Sequence, residues 1–162
     1  MTWTIEPLRP ADCDELGAVH VQIWREAYAG LMPADYLSGL DPVARAERWQ
    51  TWVDDPEDPT ETWVARDDGG MVGFISTGPA RGDHPPTPSE LWAINLLARA
   101  QGTGLADALL ARGLGDRDAY LWVLQGNGRA QSFYRRHGFA DDGGRAVHEP
   151  TGAAELRMVR RT

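Results

Sequence analysis

Apolar and polar positions alternate over residues 2–8, which predicts a first strand, and Arg9-Pro10 breaks it. Leu16, Val19, His20, Ile23, Trp24 and Ala27 then recur at helical spacing, with Asp12 placed as an N-cap and Ala29-Gly30 as a stop. Pro33 opens a short helical stretch through residue 40, and Asp41-Pro42 opens another through residue 52. Residues 54–61 are an acidic loop. Strands are predicted over 62–66 and 71–78, joined at Asp67-Asp68-Gly69-Gly70 as a hairpin. A Pro-rich stretch over 81–89 excludes a central strand there. Residues 90–97 are an apolar run of the kind a buried strand carries. A small-residue turn over 101–104 leads into a helix over 105–114, with Leu105, Ala108 and Leu109 on one face. A strand over 120–124, a helix over 129–137 stopped by Gly138, and two last strands, one around 139–147 and one over 154–160, complete the chain. Strands with interposed helices imply a mixed sheet in an α/β or α+β class.

The length of 162 residues suits one domain with a sizeable core. The net charge of −8 argues against a nucleic-acid binder held by phosphate contacts and suits a cationic substrate. All 16 basic residues are arginine. Without lysine there is no Schiff-base, P-loop or PLP-anchoring lysine; coding bias is the simplest source of the swap. The single cysteine, Cys13, excludes an intramolecular disulfide framework and a cysteine-based zinc cluster. Residues 1–9 do not form a signal peptide, and every apolar run is far shorter than a membrane span. No membrane partner and a cytoplasmic location are therefore expected.

Two stretches carry chemistry. In the first, a buried strand over 91–97 runs through Gln101, Gly102, Thr103 and Gly104 into the helix that starts Leu105-Ala106-Asp107. Amides at such a helix start are unpaired and lie at a positive dipole end, and glycines let a phosphate approach them. The turn can cradle a diphosphate or be only a tight strand–helix connection. The dinucleotide pattern GxGxxG and the P-loop lysine are both absent. In the second stretch, Asn127 is an N-cap, and Ala130, Phe133 and Tyr134 share a helix face. Core packing accounts for Phe133; a phenol at Tyr134 can also donate a proton to a leaving group.

Together these stretches resemble the acetyl-CoA-binding core of the GCN5-related N-acetyltransferase (GNAT) superfamily. Its loop pattern appears as Gln101-Gly102-Thr103-Gly104-Leu105-Ala106, and its second pattern as Asn127, Ala130, Phe133, Tyr134, Gly138 and Phe139. The likeness extends over nearly the whole chain, most firmly over 90–139. It implies a single domain with a splayed, mostly antiparallel mixed sheet flanked by helices. It implies acetyl transfer from acetyl-CoA to a primary amine of a small molecule or peptide, by direct attack in a ternary complex and without a metal. Pantetheine would pair with the backbone of Ile94, Asn95 and Leu96. The diphosphate would sit on the Gln101, Gly102, Thr103, Gly104, Leu105, Ala106 and Asp107 turn, with Asn127, Ala130 and Phe133 on the cofactor side. The Leu96 amide would polarise the thioester carbonyl, and Tyr134 would protonate the departing thiolate. Arg99, Arg129 and Arg135 would add positive field. The resemblance also allows a homodimer.

Many members carry a glutamate eleven positions before the first loop residue, and Glu90 stands there relative to Gln101. It is the candidate general base; the alternative is an exposed glutamate at a strand start. Other members place a glutamate just before the Asn, where Gln125 cannot be a base. The sequence departs from the family at Leu97-Ala98-Arg99, where a proline is common, and in the short segment 114–119. Trp24, Tyr28, Trp63 and Trp92 are candidates for an acceptor pocket in which aromatics and nearby carboxylates suit an amine with an apolar body. His20 reads as packing, His84 as a solvated loop residue, His137 as a helix-end cation, and His148 as uninformative. Cys13 reads as packing at a helix start. Two further readings stay open: an acyl-CoA-binding module without turnover, and a structural domain whose Gly102–Ala106 turn binds nothing.

Overall fold

The computed structural model describes residues 2–162. Strand β1 (Thr4–Pro7) leads through a single 3-10 turn to helix α1 (Cys13–Ala27). Helices α2 (Ala34–Ser38) and α3 (Pro42–Asp54) follow, then β2 (Glu61–Asp67), β3 (Gly70–Pro79) and β4 (Ser89–Leu96). The second half runs α4 (Leu105–Gly113), β5 (Ala119–Leu124), α5 (Gly128–Arg136), β6 (Ala140–His148) and β7 (Ala153–Arg160). The seven strands form one sheet in the order β1-β2-β3-β4-β5-β7-β6. Every neighbouring pair is antiparallel except β4 and β5, which are parallel.

Strand β3 is the spine of the core. Met71 to Thr77 are all buried, so helices cover both of its faces. Successive side chains of a strand point to opposite faces. Phe74 meets His20 of α1 and Trp49 of α3, with ring centroids 4.9 and 5.4 Å away. Ile75 meets α4, where a Cβ on Gly113 would lie 2.7 Å from Ile75 Cγ2. Helix α3 in turn packs hard on α1, because a Cβ on Gly17 would lie 2.6 Å from the Pro42 carbonyl and 2.7 Å from the Ala46 Cβ. Only glycine permits that approach, and it seats the inner face of α3 against His20.

The caps at Asp41 and Asn127 form as expected: Asp41 accepts from the Val43 amide (2.9 Å) and Asn127 from the Ala130 amide (3.2 Å). Gly138 takes a φ of 87° past the end of α5. Asp12 does not cap α1. It ends the 3-10 turn, and its carboxylate binds Arg66 (2.7 Å) and the Arg9 amide (3.0 Å). Strand β6 falls within one residue of the stretch over 139–147 at each end. It is a sheet edge interrupted between Asp141 and Arg145, and its charged side chains leave no alternation to read.

The sheet splays at its centre. Strands β4 and β5 share a single ladder position, Glu90 opposite Tyr120. Just beyond it, Ser76 pairs with Ala93 and Thr77 with Leu91, so Trp92 is the extra residue of a bulge in β4. A bulge bends its strand and sharpens the local twist. From there to Leu96 the β5-facing edge of β4 has no strand partner, and a cleft opens along it.

Candidate active site

The cleft has a volume of about 1110 Å³ and runs from the start of α4, through the gap between β4 and β5, to α1 and α3. At its α4 end Gly102 and Gly104 hold φ values of 74° and 87°, a left-handed geometry that side chains resist. The Thr103 hydroxyl ties the turn down, donating to the Ala100 carbonyl at 2.6 Å. The amides of Gly102, Thr103, Gly104, Ala106 and Asp107 donate to no acceptor among the described residues. A row of free donors at the positive end of a helix has the geometry that receives an anion. Asp107, in the first helical turn, is held by His137 (Nε2 to Oδ1, 2.7 Å).

Along the gap, Ile94, Asn95 and Leu96 line one wall and Val123 and Leu124 the other. Helix α5 supplies Asn127, Ala130, Phe133 and Tyr134, all on the cleft. The Tyr134 ring is buried, and burial, with Tyr28 nearby, raises its pKa well above the ordinary phenol value. Such a phenol is protonated at neutral pH and has a proton to donate into the cleft. Of the arginines expected to supply positive field, Arg129 lines the cleft. Arg99 is instead bound to Asp67 and Arg135 to Gln131; Arg136 takes that place on the cleft wall.

Glu90 is not brought to the cleft. It is only 2% exposed and lies where β4 and β5 still pair. Its carboxylate accepts from the Arg81 amide (3.1 Å) and guanidinium (2.7 Å) and lies 2.8 Å from the Tyr120 hydroxyl. Burial and that carboxylate push the Tyr120 pKa up to about 12. The arrangement is a buried polar clamp on the last closed rung of the sheet. Trp63 is also away from the cleft: it pairs with Ile75, so it faces α4, where Arg112 lies over its ring at 5.2 Å. The Cys13 thiol is buried, which pushes its pKa up rather than down.

Trp24, Tyr28 and Trp92 do line the cleft. Trp24 packs edge-on against Tyr28 (5.0 Å) and His20 (5.7 Å). The indole nitrogens of Trp24 and Trp92 are buried without a hydrogen-bond partner. Trp49 donates to His20 Nδ1 at 3.2 Å. An indole can only donate, so the His20 ring proton sits on Nε2. Burial, aided by Arg45 and Arg48, lowers the His20 pKa to about 3, so the ring is neutral.

Among the cleft residues not singled out in the sequence are Arg45, Arg48 and Glu155, and His148, read there as uninformative, lines the cleft as well. The two arginines share one face of α3 with Trp49 and Trp52, at i, i+3, i+4 and i+7, a pattern legible in advance. Glu155 sits on β7 opposite Leu124, and no local motif marks it. Burial raises its pKa, and it adds to the burial that pushes Tyr28 up to about 12.

Residues 58–141 match the Acetyltransferase (GNAT) domain model. The chain belongs to the GNAT family. It is similar to the uncharacterized N-acetyltransferase YuaI of Bacillus subtilis, 32% identical over 131 residues that cover 76% of this chain and 73% of the relative. The probable N-acetyltransferase Rv2775 of Mycobacterium tuberculosis is 25% identical over 96% of this chain and 90% of its own. The fold is that of the PaiA N-acetyltransferase from Thermoplasma acidophilum, solved in complex with coenzyme A (TM-score 0.79, 19% identity, 100% of both chains). As a GNAT protein with these relatives, the chain is an acetyltransferase. The splayed sheet, the seven strands and the flanking helices are the architecture the sequence resemblance implied.

Proposed function

We propose that this GNAT protein transfers an acetyl group from acetyl-CoA to a primary amine by direct attack in a ternary complex. The observation that carries the reading is the continuity of the cleft: an unpaired strand edge leads from a turn of five free amides to a buried phenol. The turn over Gln101, Gly102, Thr103, Gly104, Leu105, Ala106 and Asp107 receives the diphosphate, with Arg129 and Arg136 beside it. Ile94, Asn95 and Leu96 pair through their backbone with the pantetheine amides, as an added strand would. Asn127, Ala130 and Phe133 wall the cofactor side. The Leu96 amide polarises the thioester carbonyl, because a fixed donor acts on oxygen charge as it develops.

The amine enters between Trp24, Tyr28 and Trp92. Its nitrogen attacks the carbonyl carbon; the C–N bond forms and the C–S bond breaks. The thiolate leaves and takes the Tyr134 proton, and the second proton that the acylated nitrogen sheds returns to the Tyr134 oxygen, which leaves a neutral amide, free CoA thiol and a restored phenol. The ammonium proton must go to a cleft base before attack. Glu155 is the reading we favour over Glu90, because it lines the cleft, neighbours Tyr28, and has a raised pKa.

The test is thiol release from acetyl-CoA across a panel of primary amines, beside the thermal shift produced by CoA alone. Amine-dependent thiol release supports the reading. A CoA shift without release for any amine refutes turnover and leaves a binding module; no shift at all leaves a structural domain.

A further inference from the structure

We infer that the acceptor is a small zwitterion of the amino-acid type, a primary amine that also carries a carboxylate, with the carboxylate bound by Arg45 and Arg48. This rests on the acetyl-transfer reading above and specifies its second substrate.

Most arginines of the chain have an acceptor among the described residues, but these two do not; Arg129 and Arg136, also on the cleft, are placed beside the α4 turn. Arg9, Arg66, Arg81, Arg99, Arg145 and Arg157 each pair with a carboxylate. Arg25, Arg117 and Arg160 are spent on backbone carbonyls. Arg45 and Arg48 line the cleft and meet no acceptor among the described residues; they lie over the rings of Trp24 (5.4 Å) and Trp52 (5.5 Å). Arg45 is half-buried, and its pKa falls through burial and through Arg48. A half-buried cation without a counter-charge is costly, and an anion that enters with a ligand relieves that cost.

Two further donors lie near them, and no carboxylate among the described residues pairs with either arginine. The Trp49 bond leaves His20 with its proton on Nε2, and the Trp24 indole N–H is buried without a partner. Donors with no acceptor call for an acceptor-rich group, and a carboxylate accepts two donors of a guanidinium fork at once.

Trp24 also has neighbours of the opposite character. Its ring contacts Tyr28 at 5.0 Å and His148 at 5.9 Å, and Glu155 acts electrostatically on Tyr28, which in turn neighbours Tyr134. One indole therefore lies beside both the arginine pair and a group that holds a carboxylate and the proposed acid. A ligand matching both puts its amine toward Glu155 and Tyr134 and its carboxylate toward Arg45 and Arg48. Aromatics beside the Glu155 carboxylate suit the amine, and the arginine pair adds a place for an anionic group on the same ligand.

The experiment compares each free amino acid with its own decarboxylated amine as acceptor, in wild type, Arg45→Ala, Arg45→Lys and Arg48→Ala, with calorimetric titration of the same compounds into the CoA complex. We expect at least one amino acid to exceed its decarboxylated partner 10-fold or more in kcat/KM. We expect that advantage to collapse in Arg45→Ala and to recover in part in Arg45→Lys, with CoA affinity unchanged. Thiol release with decarboxylated amines only, unaffected by either alanine variant, overturns this inference and leaves acetyl transfer standing. Arginine-dependent binding of an amino acid without thiol release keeps the zwitterion site and refutes the transfer reading. Absence of both amino-acid turnover and amino-acid binding overturns the inference.

Discussion

Replacing Glu90 by glutamine separates a clamp from a catalytic base. The wild-type carboxylate uses Oε1 for the Arg81 amide and the Tyr120 hydroxyl, and Oε2 for the Arg81 guanidinium at 2.7 Å. Glutamine keeps one acceptor oxygen and sets an NH2 group against a guanidinium, donor against donor. Hydrogen bonds to charged groups contribute about 1.5–3 kcal/mol each. The Arg81 side chain is 59% exposed and turns to water when displaced, so the net loss comes to about 1–2 kcal/mol. For a chain of this size that is a fall in Tm of about 2–8 °C. If the clamp also sets where β4 and β5 part, kcat drops by less than about tenfold, whereas losing a general base costs roughly 10²–10⁴. The assay pairs thermal unfolding with kcat against pH. An unchanged Tm together with a loss of two orders of magnitude in kcat, abolishing the alkaline-going rise of the profile, would refute the reasoning and return Glu90 to the base role.

Tyr134→Phe is expected to lower kcat by about 10²–10⁴ while the CoA dissociation constant measured by calorimetry stays within a factor of two or so, since the ring remains and only the proton source goes. Gly104→Ala puts a Cβ on a φ of 87°, a strain of about 1–2 kcal/mol, and relaxation of the turn should weaken CoA binding by roughly 5–30-fold in the same titration. Gly17→Val drives a side chain into Pro42 and Ala46 and should cost about 1–3 kcal/mol in urea unfolding, with a larger rise in acceptor KM than in CoA affinity. His20 is neutral in the fold down to about pH 3 but protonates near 6.5 when unfolded, so the unfolded chain binds the extra proton between those values. Stability should therefore fall with acid across that window, by up to about 1.4 kcal/mol per pH unit from this group, and His20→Gln should flatten the curve of Tm against pH.

Most of the fold was legible because its signals are local. The helical spacing over α1, the Asp41-Pro42 start, the Asn127 cap and the turn glycines each act within a few residues, and each appears where the pattern put it. The geometry of the α4 turn was legible for the same reason: its glycines and its helix start are contiguous. What sequence spacing could not resolve was which way a strand side chain points once register matters. Glu90 stands at the family's spacing, yet it lies on the last paired rung, one step before the bulge at Trp92 opens the sheet. Trp63 looked like the other tryptophans until its pairing with Ile75 put it on the α4 face. Glu155 reaches the cleft because β7 inserts between β5 and the edge strand β6, which carries His148; the β5–β7 pairing joins segments about thirty residues apart in the chain that no local pattern records.

The chain's net charge of −8 makes an anionic CoA an awkward partner, and the fold answers by sorting charge rather than changing its total. Five arginines line the cleft, Arg45, Arg48, Arg81, Arg129 and Arg136, against three carboxylates, Glu26, Asp107 and Glu155. Two of those carboxylates are tied off, Glu26 to the Ala98 amide and Asp107 to His137. The free charge facing a ligand is thus positive, and at the α4 turn it is reinforced by amides that carry no net charge at all. Arginine is also the cation that suits an acetyl-transferring cleft. A lysine at positions 45, 48, 129 or 136 would present a primary amine beside an activated thioester, and the protein would compete with its own acceptor. A guanidinium stays protonated and offers no nucleophilic lone pair at neutral pH. Coding bias suffices to explain the absence of lysine across the whole chain; inside the cleft, the same absence supplies anion-binding charge that the reaction cannot consume.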